Sequence, residues 1–193
     1  MVKVGVLALQ GAFAEHLLAL ERLGVEGVPV RLLEQLDDVD GLIIPGGEST
    51  TISKLMLSFG IFGALKTRIQ SGLAVWGTCA GMILLARETD DKKLPVMGLM
   101  DISVKRNAFG RQLESFEQDL PIPALGPEPF HAIFIRAPAI VCADKTVEVL
   151  ARLTPGPIVA ARQGRLLVTA FHPELTADLR FHQYFLREVA GKA

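Results

Sequence analysis

The sequence predicts an α/β fold: a mainly parallel central sheet flanked by helices, with an additional β-rich C-terminal half, in one domain over residues 1–193. Three observations carry this prediction. Short apolar, β-rich runs alternate with helical patterns as far as Arg87. Val2 to Leu9 is almost continuously apolar, as a central parallel strand covered on both faces must be. Leu73 to Ala86 passes from strand-like to helix-forming residues across the glycine-flanked turn Gly77-Thr78-Cys79-Ala80-Gly81.

Taken in order, the first strand breaks at Gln10-Gly11. A helix follows from Phe13 to Leu23, with Phe13, Leu17, Leu18 and Leu20 on its apolar face and Gly24 as its stop. Val28 to Leu32 reads as an edge strand, because Pro29 has no N–H for a central ladder. Leu42 to Ile44 is a third strand, ending in Pro45-Gly46-Gly47. Ser49 or Thr50 can cap a helix running to about Phe59, and another helix is expected over Ile61 to Ser71. Beyond Arg87 helical periodicity disappears until about residue 176. Asp90 to Lys93 reads as a solvated charged loop and Pro121 to Pro129 as a second loop. Between and after them Ile102-Val104, Ala132-Ile135, Val147-Leu150, Ile158-Ala161 and Leu166-Ala170 are β-rich, with a hairpin turn at Gln163-Gly164. A last helix is expected over Ala177 to Val189, packed through Leu179, Tyr184, Leu186 and Val189.

Bulk properties narrow the function. Half the residues are hydrophobic and the formal net charge is -1, so the chain can bury a full core and offers no basic face for nucleic acid. No apolar run approaches the ~20 residues of a membrane span, and the opening MVKVGVLAL is not a signal peptide. Two distant cysteines in apolar company indicate neither a disulfide framework nor a zinc site, and Cys142 reads as core. No G-x-G-x-x-G follows the first strand and no Walker pattern exists. We expect a cytoplasmic protein with no metal and no cofactor.

The chemistry centres on Cys79. In a G-x-nucleophile-x-G elbow the turn strains the central residue and lifts its side chain above the sheet edge, while the glycines let strand and helix pack closely. A helix N-terminus beside the sulfur favours thiolate. Such a cysteine needs a base, and the base an orienting acceptor. Of four histidines, His16 reads as surface or packing, and His131 and His182 hold bland positions. His172 ends a β-rich run and precedes Pro173-Glu174; proline favours an extended conformation before it, where residues i and i+2 face alike. Cys79, His172 and Glu174 are therefore the expected triad. The Ala80 amide and the Gly47 amide of the Pro45-Gly46-Gly47-Glu48 turn are the expected oxyanion donors. Arg106 and Arg136, each ending a β-rich run, are candidates for a substrate carboxylate. Gln10-Gly11, on the same rim, can touch both the glycine loop and a docked chain.

These motifs resemble the class I, or triad, glutamine amidotransferases, and within them the glutaminase subunits of pyridoxal 5'-phosphate synthase. The resemblance rests on Leu9-Gln10-Gly11 with Glu15-His16, Pro45-Gly46-Gly47-Glu48-Ser49-Thr50, Gly77 to Gly81, Arg106-Asn107 with Phe109-Gly110-Arg111-Gln112, Phe134 to Pro138, and His172-Pro173-Glu174-Leu175. Elbow and H-P-E are shared by many amidotransferases; P-G-G-E-S-T and N-x-F-G-R-Q distinguish the vitamin B6 branch.

The resemblance implies hydrolysis of L-glutamine through a γ-glutamyl thioester on Cys79, with His172 moving the proton and Glu174 orienting it. It also implies glutamine binding by Gly46, Gly47, Glu48, Arg106, Ile135 and Arg136. A domain of this size leaves no room for an ammonia-accepting site, so that site belongs to another chain. In the family it is a (β/α)8-barrel synthase subunit. Two other readings use the same fold: a DJ-1-like or peptidase-like cysteine hydrolase, and a non-catalytic regulatory binder.

Overall fold

A computed structural model describes residues 2–110 and 115–191. Arg111 and Gln112 of the N-x-F-G-R-Q motif lie outside the described residues. Strands β1 (Lys3–Leu7), β2 (Glu26–Val30), β3 (Gly41–Ile44) and β4 (Ala74–Thr78) alternate with helices α1 (Phe13–Arg22), α2 (Ser49–Ser58) and α3 (Ile61–Gln70), and α4 (Ala80–Leu85) follows the elbow. Strands β5 (Ala86–Thr89), β6 (Met100–Lys105), β7 (Ser115–Leu120), β8 (Phe130–Ile135), β9 (Ala139–Ala143), β10 (Glu148–Arg152), β11 (Ile158–Gln163) and β12 (Leu166–Thr169) come next. The described chain ends with α5 (Arg180–Tyr184) and a π-turn, Phe185–Val189.

One ten-stranded sheet has the order β2-β1-β3-β4-β12-β11-β9-β6-β5, with β10 paired to β11, while β7 and β8 form a separate hairpin. From β2 to β12 all neighbours are parallel. The neighbours β12-β11-β9-β6 are antiparallel. The chain thus leaves the parallel half at β4, builds the antiparallel half, and returns beside β4 as β12. Thr169 then pairs with Thr78 and Ile44 with Gly77. The C-terminal ends of β3, β4 and β12 consequently share one rim, although His172 is 93 residues beyond Cys79 in sequence. In doubly wound sheets ligands bind outside this rim.

The core beneath it is dense. Every residue of β3, β4 and β12 is buried. Trp76 stacks on Phe181 with centroids 6.1 Å apart and meets Phe185 at 5.9 Å. Each such large side chain stabilises the fold by about 1.5–3 kcal/mol.

Several expectations are corrected. Glu48, rather than Ser49 or Thr50, caps α2: its backbone is extended, and its carboxylate accepts from Thr50 N (3.0 Å) and Thr51 N (2.7 Å). A carboxylate there also meets the positive end of the helix dipole. Strands β5, β7 and β9 exist where no strand was expected. Polar β7 is held by its hairpin with β8, and β5 by parallel pairing with β6, so tertiary pairing overrides weak local pattern. Cys142 is exposed: β9 meets β11 only at Ile140, so at Cys142 the strand is paired on one side alone, with Ser103 of β6. Asp90 and Asp91 are not merely solvated: they hold Arg106. The last helix is shorter than expected and turns into the π segment. No described helix is long and apolar enough to cross a membrane.

Candidate active site

The elbow forms as its sequence demands. Cys79 has φ 48° and ψ -100°, a conformation costing about 1–3 kcal/mol, which the buried β4 and its Trp76 contacts can carry. A Cβ on Gly77 would lie 2.5 Å from the Gly81 carbonyl carbon. One on Gly81 would lie 2.1 Å from Ile44 O. Only glycine permits both approaches. Cys79 N donates to Thr169 O (2.7 Å), stitching the elbow to the end of β12.

Three residues past β12, His172 donates its backbone N–H to Ile133 O of β8 (2.9 Å), which fixes the ring beside the elbow. Its Nδ1 is 2.7 Å from Glu174 Oε1, and the ring lines the same cavity as Cys79. The structure therefore brings Cys79, His172 and Glu174 together. The route differs from the expected extended segment: Pro173–Leu175 is a 3₁₀ turn, with Leu175 N donating to His172 O (3.2 Å). Proline suits the first position of such a turn, where no N–H is needed.

Electrostatics follow from this enclosure. Burial works against a charged His172, but its bonds to Cys79 and Glu174 outweigh burial and raise its pKa to about 10. Burial likewise opposes ionisation of Glu174, yet His16 and His172 beside it hold its pKa below the ordinary value. Glu48, although raised by desolvation, is brought down to about 2 by the hydrogen bonds from Thr51 and Thr50.

A cavity of about 320 Å³ opens on the rim, lined by Gln10, Gly47, Glu48, Ser49, Cys79, Ala80, Ile83, Arg106, Asn107, Ile135, Arg136, Pro138 and His172. That is the small end of the ~300–1,000 Å³ of ligand pockets, suited to a compact metabolite. Gly46, expected to bind substrate, is not among the lining residues but sits against the triad: a Cβ there would be 2.3 Å from His172 Cε1 and 3.3 Å from Cys79 Cβ. Asn107 and Arg136 have φ of 45° and 41°, and Ala108 N donates to Ala137 O (3.0 Å), so their two loops meet. Arg106 is anchored by its backbone N–H to Asp90 Oδ1 (3.1 Å) and by Nη1 to Asp91 Oδ2 (2.8 Å).

On the opposite wall Gln10 Oε1 accepts from Glu48 N (2.8 Å), and Ala12 N donates to Gly46 O (3.0 Å). The Gly11 Cα borders Gly47, and a Cβ on Gly11 would collide with Gly46 O. The end of β1 thus holds the glycine loop, one half of what Gln10-Gly11 was expected to do.

Sequence reasoning missed His16. It is fully buried behind Glu174, with Nε2 3.4 Å from Glu174 Oε2. The available signal was its spacing from Phe13 and Leu20, i+3 and i+4, on the apolar face of α1. His182 is buried too, 3.0 Å from His16. His131 sits in the open between Glu117 and Asp119. Among the described residues no group of three His, Cys, Asp or Glu is placed to hold a metal ion.

The fold is that of a class I glutamine amidotransferase domain, and a cysteine elbow, a histidine with its carboxylate and a glycine loop share one rim of the parallel half of its sheet. Comparison with known proteins narrows this further. Residues 6–191 match the model of the SNO glutamine amidotransferase family, and the chain belongs to that family. It is 64% identical over 187 residues to pyridoxal 5'-phosphate synthase subunit PdxT of Pelotomaculum thermopropionicum, covering 97% of this chain and 95% of that protein. The PdxT of Herpetosiphon aurantiacus is 59% identical over 186 residues, covering 95% and 98%. A crystal structure described as a glutamine amidotransferase superposes with a TM-score of 0.91 at 52% identity, covering 97% of this chain and 98% of that one.

Proposed function

We propose that this chain hydrolyses L-glutamine to L-glutamate and ammonia and delivers the ammonia to a separate (β/α)8-barrel synthase subunit, for pyridoxal 5'-phosphate formation. Membership of the amidotransferase family and the subunit name of its close relatives support the reaction and the pathway. The observation that carries the site reading is His172, paired with Glu174, lining with Cys79 the cavity that opens on the rim.

In this reading Cys79 Sγ attacks the γ-carboxamide carbon as thiolate. The resulting oxyanion accepts from the Ala80 and Gly47 amides. The Gly46–Gly47 peptide supports the second donor: its carbonyl is bound by Ala12 N, and in a trans peptide the N–H points the opposite way. Protonated His172 gives its proton to the nitrogen as the C–N bond breaks, releasing ammonia and leaving the γ-glutamyl thioester. A water then attacks the thioester while His172 takes its proton, and glutamate leaves as the thiolate returns. Glu174 holds His172 in the tautomer that serves both steps.

Arg106 and Arg136 offer positive charge to the substrate's α-carboxylate, and Glu48, ionised at any working pH, faces its ammonium. Gly47 and Ile135 shape the wall, and Gly46 leaves room for the His172 ring. The thiolate requires a reducing setting, for which the cytoplasm is our reading, and both cysteines are free.

The test is a glutaminase assay with the synthase subunit present, combined with mass spectrometry. Wild type should release ammonia and carry a glutamyl adduct on Cys79; Cys79→Ala should do neither. Turnover by Cys79→Ala would overturn the reading. A DJ-1-like or peptidase-like hydrolase would use the elbow but would leave the His172–Glu174 pair and the Gly46-Gly47 loop without a purpose.

A further inference from the structure

Behind the site the structure places an arrangement of buried polar groups that the mechanism above does not use. Glu174 is fully buried at its side chain, and only Oε1 is engaged, by His172. Oε2 has no hydrogen-bond partner. The side-chain donor beside it is His16, whose Nε2 is 3.4 Å away and also 3.3 Å from Thr78 Oγ1. The other His16 nitrogen, Nδ1, is 3.0 Å from His182 Nε2, while His182 Nδ1 is buried and unpartnered.

Proton accounting leaves one economical arrangement. An ionised carboxylate only accepts, so the proton facing Glu174 must be on His16 Nε2. If His16 is neutral, its Nδ1 is then a lone pair, and His182 Nε2 must be the donor to it. His182 Nδ1 becomes a bare acceptor. Were His16 charged, Nδ1–H would point at His182 Nε2, and the proton of neutral His182 would be an orphaned buried donor on Nδ1, the rarer and costlier defect. Burial also disfavours charge on both rings. The groups facing His16 are Glu174, His172, Thr78 and His182, with Glu15 on its own helix.

We propose that His16, held by His182 as the neutral Nε2–H tautomer, is a positioning residue that holds Glu174 through Oε2 and so keeps the His172 ring aimed at Cys79. The inference rests on the reading that Cys79, His172 and Glu174 perform the hydrolysis. Its physical basis is the moment after His172 has given its proton to ammonia. Glu174 then faces a neutral imidazole, and a buried carboxylate without its counter-charge is strongly destabilised. The His16 N–H is the side-chain donor beside Oε2, at 3.4 Å, and a small turn of the ring aligns it as a hydrogen bond.

The experiment compares His16→Leu, His16→Gln and Cys79→Ala, as full chains assayed with the synthase subunit. Glutamine supplies an amide N–H near the position of the imidazole Nε2. His16→Leu should lower kcat by roughly 10- to 100-fold, the range expected for losing a hydrogen bond to a charged group, with KM changed by less than about threefold. Its kcat-pH profile should move its acid limb to higher pH, since Glu174 then protonates more easily. His16→Gln should recover most of kcat and the wild-type profile. An unimpaired His16→Leu with an unmoved profile overturns the proposal. So does a folded His16→Gln as damaged as His16→Leu, since that is the mark of packing alone. If His16→Leu does not fold, nitrogen-15 NMR of wild type decides: a proton on Nε2 of His16 supports the proposal, and a proton on Nδ1 with Nε2 bare overturns it. Cys79→Ala separates the two readings. Were it active, the site reading itself would fail; were it inactive beside an unimpaired His16→Leu, only the role of His16 would.

Discussion

Gln10 and Glu48 are joined by a 2.8 Å hydrogen bond from the Glu48 backbone N–H to the Gln10 side-chain oxygen, across the glycine loop at the mouth of the cavity. The bond ties the end of the first strand to the segment that supplies the Gly47 amide. Gln10→Ala removes it without touching Cys79 or His172. Losing one such bond is worth about 1 kcal/mol, so kcat in the presence of the synthase should fall roughly fivefold. Alkylation of Cys79 by a small reagent should be unaltered. Equal activation of wild type and variant by the synthase would rule out a coupling role for Gln10-Gly11.

Two glycines give opposite expectations. Alanine at Gly46 would place Cβ 2.3 Å from His172 Cε1, so Gly46→Ala should displace the imidazole and abolish turnover. Gly63, inside α3, has open space at its Cβ. Gly63→Ala should stabilise the fold by about 0.5–1 kcal/mol, the helix-propensity difference, with normal activity. Thermal melts and assays on the pair check both.

The two cysteines should separate by reagent. A glutamine-analogue electrophile must enter the cavity, so it should modify Cys79 and spare Cys142, although Cys79 is only 7% exposed. A small non-specific alkylating agent should modify exposed Cys142 as well. Peptide mapping reads both; a glutamine analogue found mainly on Cys142 would contradict the assignment.

Glu174→Gln keeps the shape of the side chain but loses its charge and can present an N–H to His172 Nδ1. Turnover should fall by up to roughly 10⁴-fold, by analogy with the serine-protease aspartate. Near wild-type turnover would move the orienting role to another group.

The pH dependence has a defined sign. The folded pKa of His172, about 10, is raised above its ordinary value of 6.5. Its charge therefore contributes stability that is fully present below about pH 6.5 and is lost as pH rises through about 10. The stability gap between wild type and His172→Gln, measured by urea unfolding, should shrink over that window. In Cys79→Ala the ring loses one bonded neighbour, and its NMR titration should move downward. A gap that grows with pH would contradict the argument.

Local chemistry was enough to locate the elbow. Glycine on both sides of Cys79, apolar strand residues before it and helix formers after it constrain the backbone within a few residues, so the sequence alone carried the strained turn. His172 was legible through its partner two positions on, and the edge place of β2 through Pro29. What the sequence alone did not determine is how distant segments meet. That β12 returns beside β4, so that Thr169 pairs with Thr78, is a property of the whole sheet. The same holds for polar β7, which is a strand because β8 pairs with it, and for Asp90 and Asp91, which read as a solvated loop and prove to anchor Arg106. His16 is the clearest case. Its apolar spacing indicates burial, but which buried groups it meets depends on α1, β4, the 3₁₀ turn and α5 packing together. A side chain's neighbours along the chain are set by local backbone geometry, whereas its neighbours through space are set by the packing of the entire core.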